Sequence, residues 1–198
     1  MIPRHLKIAV IVMLGVVLAM GFYLRHLKRS AAQLPSGSEN LPVAPPVSGP
    51  TEKVALYVAY DTPGMLVARP ASIPLPSDRQ ERAQAVLRAL LAAYTGEFST
   101  HPIAPGSEVK SVYLVPPGIA VVDLNPPFAD GHRSGILVEE LTVLSLVQTL
   151  AVNVPGVTRV KFLIDGKMRE TLAGHASLAD FYDVAKVKPV VEQLLAAP

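Results

Sequence analysis

Four segments of the chain have the composition and spacing of β-strands. The clearest covers residues 158–164, in which Val160, Phe162 and Ile164 occupy every second position. A period of two places these three side chains on one buried face of a strand. The Asp-Gly pair at 165–166 then supplies the positive-φ residues of a tight hairpin turn. Three further segments, rich in β-forming residues, are predicted to be strands: 54–60, 109–115 and 119–124.

Two other segments have the period of amphipathic helices. The first follows Ser77, a good N-cap with Gln80 at the spacing of a capping box. Its apolar residues recur on one stripe: Ala83, Val86, Leu87, Leu90, Leu91 and Tyr94. The second helix is predicted from about Ser134 to Val152, and Pro155 prevents its continuation. Residues 65–76 contain three prolines and are predicted to be an irregular connection.

In chain order these segments predict a β-α-β-β-α-β domain over residues 53–180. This split βαβ arrangement is an α+β fold, with the helices on one face of a small mixed sheet. Residues 167–172 are expected to return as the hairpin partner of strand 158–164. Two weak helical pieces are predicted at 178–184 and 189–196, so residues 181–198 form a helical tail. The tail is expected to pack on the domain through an apolar strip, with a partner or self-association site as the alternative: Val190, Val191, Leu194 and Leu195.

The N-terminal residues 1–29 have the features of a transmembrane anchor. Residues 8–24 contain no charged side chain, and basic residues flank them on both sides. A cleaved signal peptide is the alternative, but a basic cluster stands where a small-residue cleavage site would be. Residues 30–52 contain five prolines with serine and glycine between them, which predicts an extended linker. We expect a single-pass protein of the bacterial cytoplasmic membrane, with its N-terminus inside and its C-terminal domain outside.

Charge and cysteine content exclude several classes of function. The whole chain has a net charge of +2, but five of its 18 basic residues lie within residues 1–29, which contain no acidic residue. The remainder therefore has a net charge of about −3 and no clustered basic surface for nucleic acid. The chain contains no cysteine, which excludes a lipid anchor on an N-terminal Cys.

A search for catalytic motifs finds none. The sequence lacks a Gly-x-Ser-x-Gly motif, and no two of its five histidines have metal-ligand spacing: His5, His26, His101, His132 and His175. Four residues could bracket a site, although a loop that ends a strand and caps a helix explains them more simply: Asp123, Asp130, His132 and Arg133. Asp165 is interpreted as a turn residue. Three arginines of the first helix are interpreted as its solvated face: Arg79, Arg82 and Arg88. No catalytic, cofactor-binding or metal-binding residue is predicted.

Several motifs occur together in one order. They are Val-Ala-Leu-Tyr-Val (54–58), Ala-Val-Leu-Arg-Ala-Leu-Leu (85–91), Ile-Ala-Pro-Gly-Ser (103–107), Gly-Ile-Ala-Val-Val-Asp-Leu (118–124), Gln-Thr-Leu (148–150), Pro-Gly-Val-Thr-Arg-Val-Lys-Phe-Leu-Ile-Asp-Gly-Lys (155–167) and Leu-Ala-Gly-His (172–175). In this order they resemble the GerMN domain of sporulation and spore germination proteins. The family typically has Gly-Pro after the first-helix motif, whereas this chain has Ala-Ala-Tyr-Thr-Gly at 92–96.

The resemblance implies a fold similar to the ring-building motifs of secretion systems, in an extracytoplasmic envelope domain without enzymatic activity or known ligand residues. The expected function is therefore that of a non-catalytic, membrane-tethered domain that binds an envelope protein or the cell wall, or assembles with itself. An envelope hydrolase or wall-modifying enzyme is the alternative.

Overall fold

The computed structural model describes residues 49–195, which belong to one compact unit with its own hydrophobic core. The predicted membrane anchor and most of the predicted linker lie outside the described residues. Within them the fold is α+β, as predicted. The elements in chain order are β1 (Thr51–Tyr60), β2 (Met65–Pro74), α1 (Arg79–Thr95), β3 (Val109–Val115), β4 (Ile119–Leu124), α2 (Pro126–Asp130), α3 (Ile136–Asn153), β5 (Arg159–Ile164), β6 (Tyr182–Asp183) and α4 (Val184–Leu194).

The strands of the described unit form two sheets. The larger is mixed, as predicted, with strand order β3-β4-β5-β6; β4 and β5 are parallel and the other neighbours antiparallel. Strand β1 was expected in this sheet but pairs with β2 in a separate antiparallel ribbon. Val160, Phe162 and Ile164 are buried, as predicted, but the alternation in β5 is incomplete because Lys161 is buried as well.

The prediction of an irregular connection over residues 65–76 was wrong, because most of this segment is strand β2. Pro70 lies opposite Ala55 in the ribbon. The backbone N–H and C=O of Ala55 both bond to Asn153, so this is a non-hydrogen-bonded pair of the ladder. Pro70 therefore faces the outer edge of β2, where its missing N–H costs no ladder bond.

Helix side chains cover the other edge of β1. The Asn153 amide of α3 brackets Ala55, with Oδ1 3.1 Å from its nitrogen and Nδ2 2.7 Å from its oxygen. One turn earlier, the Thr149 hydroxyl accepts from the Tyr57 amide at 2.9 Å. The Tyr94 hydroxyl of α1 accepts a hydrogen bond from a third amide of the strand, that of Ala59. These bonds satisfy backbone groups that a bare strand edge would leave open.

Helices α1 and α3 each supply six buried apolar residues to the core. All six residues of the predicted α1 stripe are buried. The N-cap, however, is Asp78 and not Ser77: Asp78 Oδ1 accepts from the Glu81 amide at 2.8 Å, while Ser77 donates to the Glu81 carboxylate. Helix α3 is long and apolar enough to cross a membrane, but 61% of it is buried inside the unit, as expected of a core helix.

The C-terminal part of the unit differs from its prediction in two ways. Residues 167–172 form no hairpin strand; Lys167 makes a single bridge to Ile164, and β6 is the partner of β5. The two predicted helical pieces are replaced by one helix, α4, which contains Pro189 in its interior. Val187 and Val191 are buried, so α4 packs on the domain.

Candidate functional site

Three buried polar side chains and two partly exposed ones meet where three loops reach the first half of α3. We call Asp61, His101, His132, Arg133 and Thr142 the histidine cluster. The Thr142 hydroxyl lies 2.6 Å from His101 Nε2 and 2.8 Å from His132 Nε2. His101 Nδ1 lies 2.5 Å from Asp61 Oδ1, and His132 Nδ1 lies 2.8 Å from the Arg133 carbonyl oxygen. The Arg133 guanidinium pairs with the same Asp61 carboxylate.

Burial sets the charge state of the histidine cluster. It lowers the pKa of His101 below 6.5, although the Asp61 carboxylate opposes this. It also lowers the pKa of His132, against the bond to the Arg133 carbonyl. Burial alone would raise the pKa of Asp61, but hydrogen bonds from Arg133 and His101 outweigh it and hold that pKa below 3.8. At neutral pH the cluster therefore contains neutral imidazoles beside an ion pair.

The chain Asp61–His101–Thr142 has the residue order of a hydrolase triad, but its setting does not suit catalysis. His101 and Thr142 have no solvent-accessible surface, so a substrate cannot reach the hydroxyl. The same hydroxyl also bonds back to the Val138 carbonyl within α3 at 2.9 Å. The cluster ties the turn after β1, the loop after α1 and the segment before α3 to one position on α3.

A second buried network, which we call the Glu139 clamp, lies one turn nearer the start of α3. The Glu139 carboxylate is inaccessible to solvent and accepts from the Gly135, Ala173, His175 and Ala176 amides and the His175 ring, at 2.9–3.1 Å. Burial raises its pKa, but these bonds, led by the His175 ring, outweigh that effect and lower the pKa to about 2. The Leu-Ala-Gly-His motif at 172–175 is thus the loop that this carboxylate holds.

The clamp contains a serine, a histidine and a carboxylate, but not as a proton relay. Ser134 Oγ lies 3.4 Å from His175 Nδ1, and Glu139 Oε1 lies 2.9 Å from the same nitrogen. A catalytic triad needs the nucleophile and the carboxylate on opposite ring nitrogens. His175 is therefore a loop anchor in this structure, in line with the structural role read from the sequence.

The four residues that could bracket a site belong to separate contacts. Asp123 accepts from the Gly166 amide at 2.8 Å, and Asp130 pairs with Arg169 at 2.5 Å. Only His132 and Arg133 share a network, the histidine cluster.

The other charged residues singled out in the sequence also have local contacts. Asp165 has a φ of 54° and pairs with Lys110 at 2.5 Å, as a turn residue would. Arg79 donates to the Pro155 carbonyl, and Arg82 pairs with Glu52. Among residues 49–195 no three His, Asp or Glu side chains are grouped to hold a metal ion.

Apolar side chains are exposed at the end of the unit that holds the histidine cluster. The exposed fractions are 92% for Phe98, 70% for Ile136 and 45% for Leu137. The Asp61 amide donates to the Thr100 carbonyl, two residues after Phe98. The turn that follows Asp61 contacts Leu137, because a Cβ atom at Gly64 would lie 2.8 Å from Leu137 Cδ2. We call these three exposed side chains the loop surface.

The family model of Germane, described as sporulation and spore germination, matches residues 55–170, more than half of the chain. The chain therefore belongs to this family, which confirms the resemblance read from its motifs. No curated protein matches the sequence.

The chain aligns with two solved structures. The tandem GerMN domains of the sporulation protein GerM from Bacillus subtilis align at 18% identity and a TM-score of 0.51, over 68% of this chain and 46% of that one. At this identity the likeness shows the fold alone. The first GerMN domain of the same protein aligns at 20% identity and a TM-score of 0.47, over 64% and 92%.

Proposed function

We propose that this member of the Germane family is a non-catalytic interaction module of the bacterial cell envelope. Its N-terminal apolar segment tethers it to the cytoplasmic membrane as a single span with the N-terminus inside. The folded unit lies outside the membrane and binds another envelope protein through the loop surface. The cell wall and a second copy of the chain are the other partners that the test distinguishes.

The burial of its candidate catalytic groups carries the proposal. The imidazoles of His101, His132 and His175, the Glu139 carboxylate and the Thr142 hydroxyl bond to neighbouring side chains or to backbone groups. The two best-formed groupings, the histidine cluster and the Glu139 clamp, hold loops against α3, and their central side chains are closed to solvent. Hydrolysis needs an accessible nucleophile beside an oriented base. The hydroxyl of the histidine cluster is buried, and in the Glu139 clamp Ser134 and Glu139 face the same ring nitrogen of His175.

The loop surface supports a protein partner. Phe98 and Ile136 expose most of their apolar side chains to solvent, and a protein partner would bury this surface. Arg133, half exposed, lies at the same end through its pair with Asp61. Apolar side chains beside an arginine are the residue types enriched in protein interfaces.

Photo-crosslinking in intact cells tests the site of contact. A photoreactive amino acid is placed at position 98 or 136 of the full chain, and at position 192 of α4 as the control. Glu192 is 61% exposed and lies on the C-terminal helix. We expect one discrete protein adduct from positions 98 and 136 and none from 192. Equal adducts from all three positions, or adducts with wall glycan alone, contradict a protein-binding loop surface.

Protease protection tests the topology separately. The unit outside the membrane predicts that protease added to intact spheroplasts cleaves the chain at residues 30–48 or beyond. Protection in spheroplasts, with cleavage only after lysis, contradicts the proposed orientation.

A further inference from the structure

The histidine cluster has more short polar contacts than it has N–H and O–H protons to make hydrogen bonds in them. Asp61 and the Arg133 carbonyl accept hydrogen bonds only, so in its neutral form each imidazole carries its proton on Nδ1. Both Nε2 atoms are then acceptors, and both face the Thr142 hydroxyl, at 2.6 and 2.8 Å. That hydroxyl has one proton, for which the Val138 carbonyl also competes at 2.9 Å, so at least one of the two Nε2 contacts joins lone pairs without a hydrogen.

One added proton completes the imidazole contacts. The protonated ring donates from Nε2 to Thr142, and Thr142 donates to Nε2 of the other ring once its proton turns away from the Val138 carbonyl. A second proton would place two imidazolium rings with centroids 6.2 Å apart, beside the Arg133 guanidinium. Like charges at that distance repel strongly inside a protein. We propose that Asp61, His101, Thr142 and His132 form one proton-binding unit, which takes up a single shared proton and makes closure of the three loops dependent on pH.

Titratable and charged groups on the neighbouring elements favour or oppose the binding of this proton. Asp61, in the turn after β1, favours it, and Glu139 on α3 favours charge on His132. Arg133, in the segment before α3, opposes it. Tyr94 of α1 lies against His101 with ring centroids 4.9 Å apart; burial raises the pKa of Tyr94 to about 12, so it stays neutral.

The direction of the pH effect follows from burial. Burial lowers the pKa of both imidazoles in the closed fold, whereas opened loops expose them at the ordinary value of 6.5. The closed form is therefore fully favoured above pH 6.5 and loses stability as the pH falls through the lower pKa values. Each proton that the open form binds in excess lowers the closing constant by at most about tenfold per pH unit. This inference goes beyond the proposed function and does not rest on it.

Nuclear magnetic resonance of the full chain, labelled with ¹⁵N in its histidines and held in mild detergent, tests the unit. Between pH 8 and pH 4 we expect His101 and His132 to show the same two separated steps, as coupled sites do. Thr142→Ser keeps the hydroxyl and should keep the coupling, whereas Thr142→Val should give each imidazole its own single step.

Amide hydrogen exchange reports the loops. Protection of the Asp61 amide, which bonds to Thr100, should fall below pH 6.5 after correction for intrinsic exchange, by up to tenfold per pH unit for each excess proton that the open form binds. Independent single-step curves for His101 and His132 in the wild-type chain would overturn the proposal, and so would coupled curves that survive Thr142→Val. Should that variant not fold, His101→Asn provides the second test: His132 must then titrate in one step, and two remaining steps contradict the shared proton.

Discussion

The Glu139 clamp predicts a large and pH-dependent stability contribution from one carboxylate. Glu139→Gln keeps the size of the side chain but replaces one accepting oxygen by an NH₂ group, which faces amide donors. In the wild-type fold, hydrogen bonds lower the pKa of Glu139 from 4.5 to about 2. At 1.36 kcal/mol per pKa unit, the ionised form contributes at most about 3 kcal/mol to the free energy of unfolding.

The sign of the pH effect is fixed by the lowered pKa. The contribution is complete above pH 4.5 and is lost as the pH falls from there toward 2. Urea unfolding, followed by circular dichroism at pH 7 and pH 3, measures the difference between the wild type and Glu139→Gln. We expect a difference of about 3 kcal/mol at pH 7 that shrinks by about half at pH 3. Glu140→Gln, at the next and exposed position of α3, should change stability by less than about 0.5 kcal/mol. A Glu139→Gln difference below that size at pH 7, or one equal at both pH values, refutes the clamp.

Three substitutions test other features of the fold by the free energy of unfolding. Asn153→Ala removes the amide that brackets Ala55 and should cost about 3 kcal/mol, while Val152→Ala, at an exposed position of the same helix, should cost less than 1 kcal/mol. Gly118→Ala should cost about 2 kcal/mol, because φ is +138° and the new Cβ would lie 2.6 Å from a backbone oxygen. Pro189→Ala should stabilise the chain by about 1–3 kcal/mol, because it restores an amide inside α4. Denaturant unfolding of each variant checks the value, and a change of the opposite sign contradicts the contact concerned.

Local periodicity was enough to find most of the elements that form the core. The stripe of α1 and the apolar face of β5 are both buried, as their periods predict. Strand β2 was missed because its prolines count against a strand in any local reading. The fold tolerates them because their nitrogen atoms lie on the outer edge of β2, away from β1. The sequence does not show which of the two edges of a strand will be paired.

The buried polar networks could not be read from the sequence. His101 and Thr142 are 41 residues apart, and Glu139 and Ala176 are 37 apart, so tertiary folding alone brings each pair together. Their local signals were ordinary: Glu139 read as an acidic residue near a helix start, and His175 as part of a turn. The same limit applies to β6. Its two residues pair with β5 but begin 18 positions after β5 ends, and the intervening residues 165–181 form a loop instead of a hairpin.

Binding without chemistry is the central claim, and digestion of purified cell-wall sacculi tests it most directly. The full chain is incubated with sacculi, and the soluble products are measured as new reducing ends and free amino groups against a buffer control. We expect no release above the control from the wild type, because the catalytic candidates are closed to solvent or committed to structural bonds. Release of wall fragments that is lost on His132→Asn or Asp130→Ala, with the fold intact, would contradict the claim.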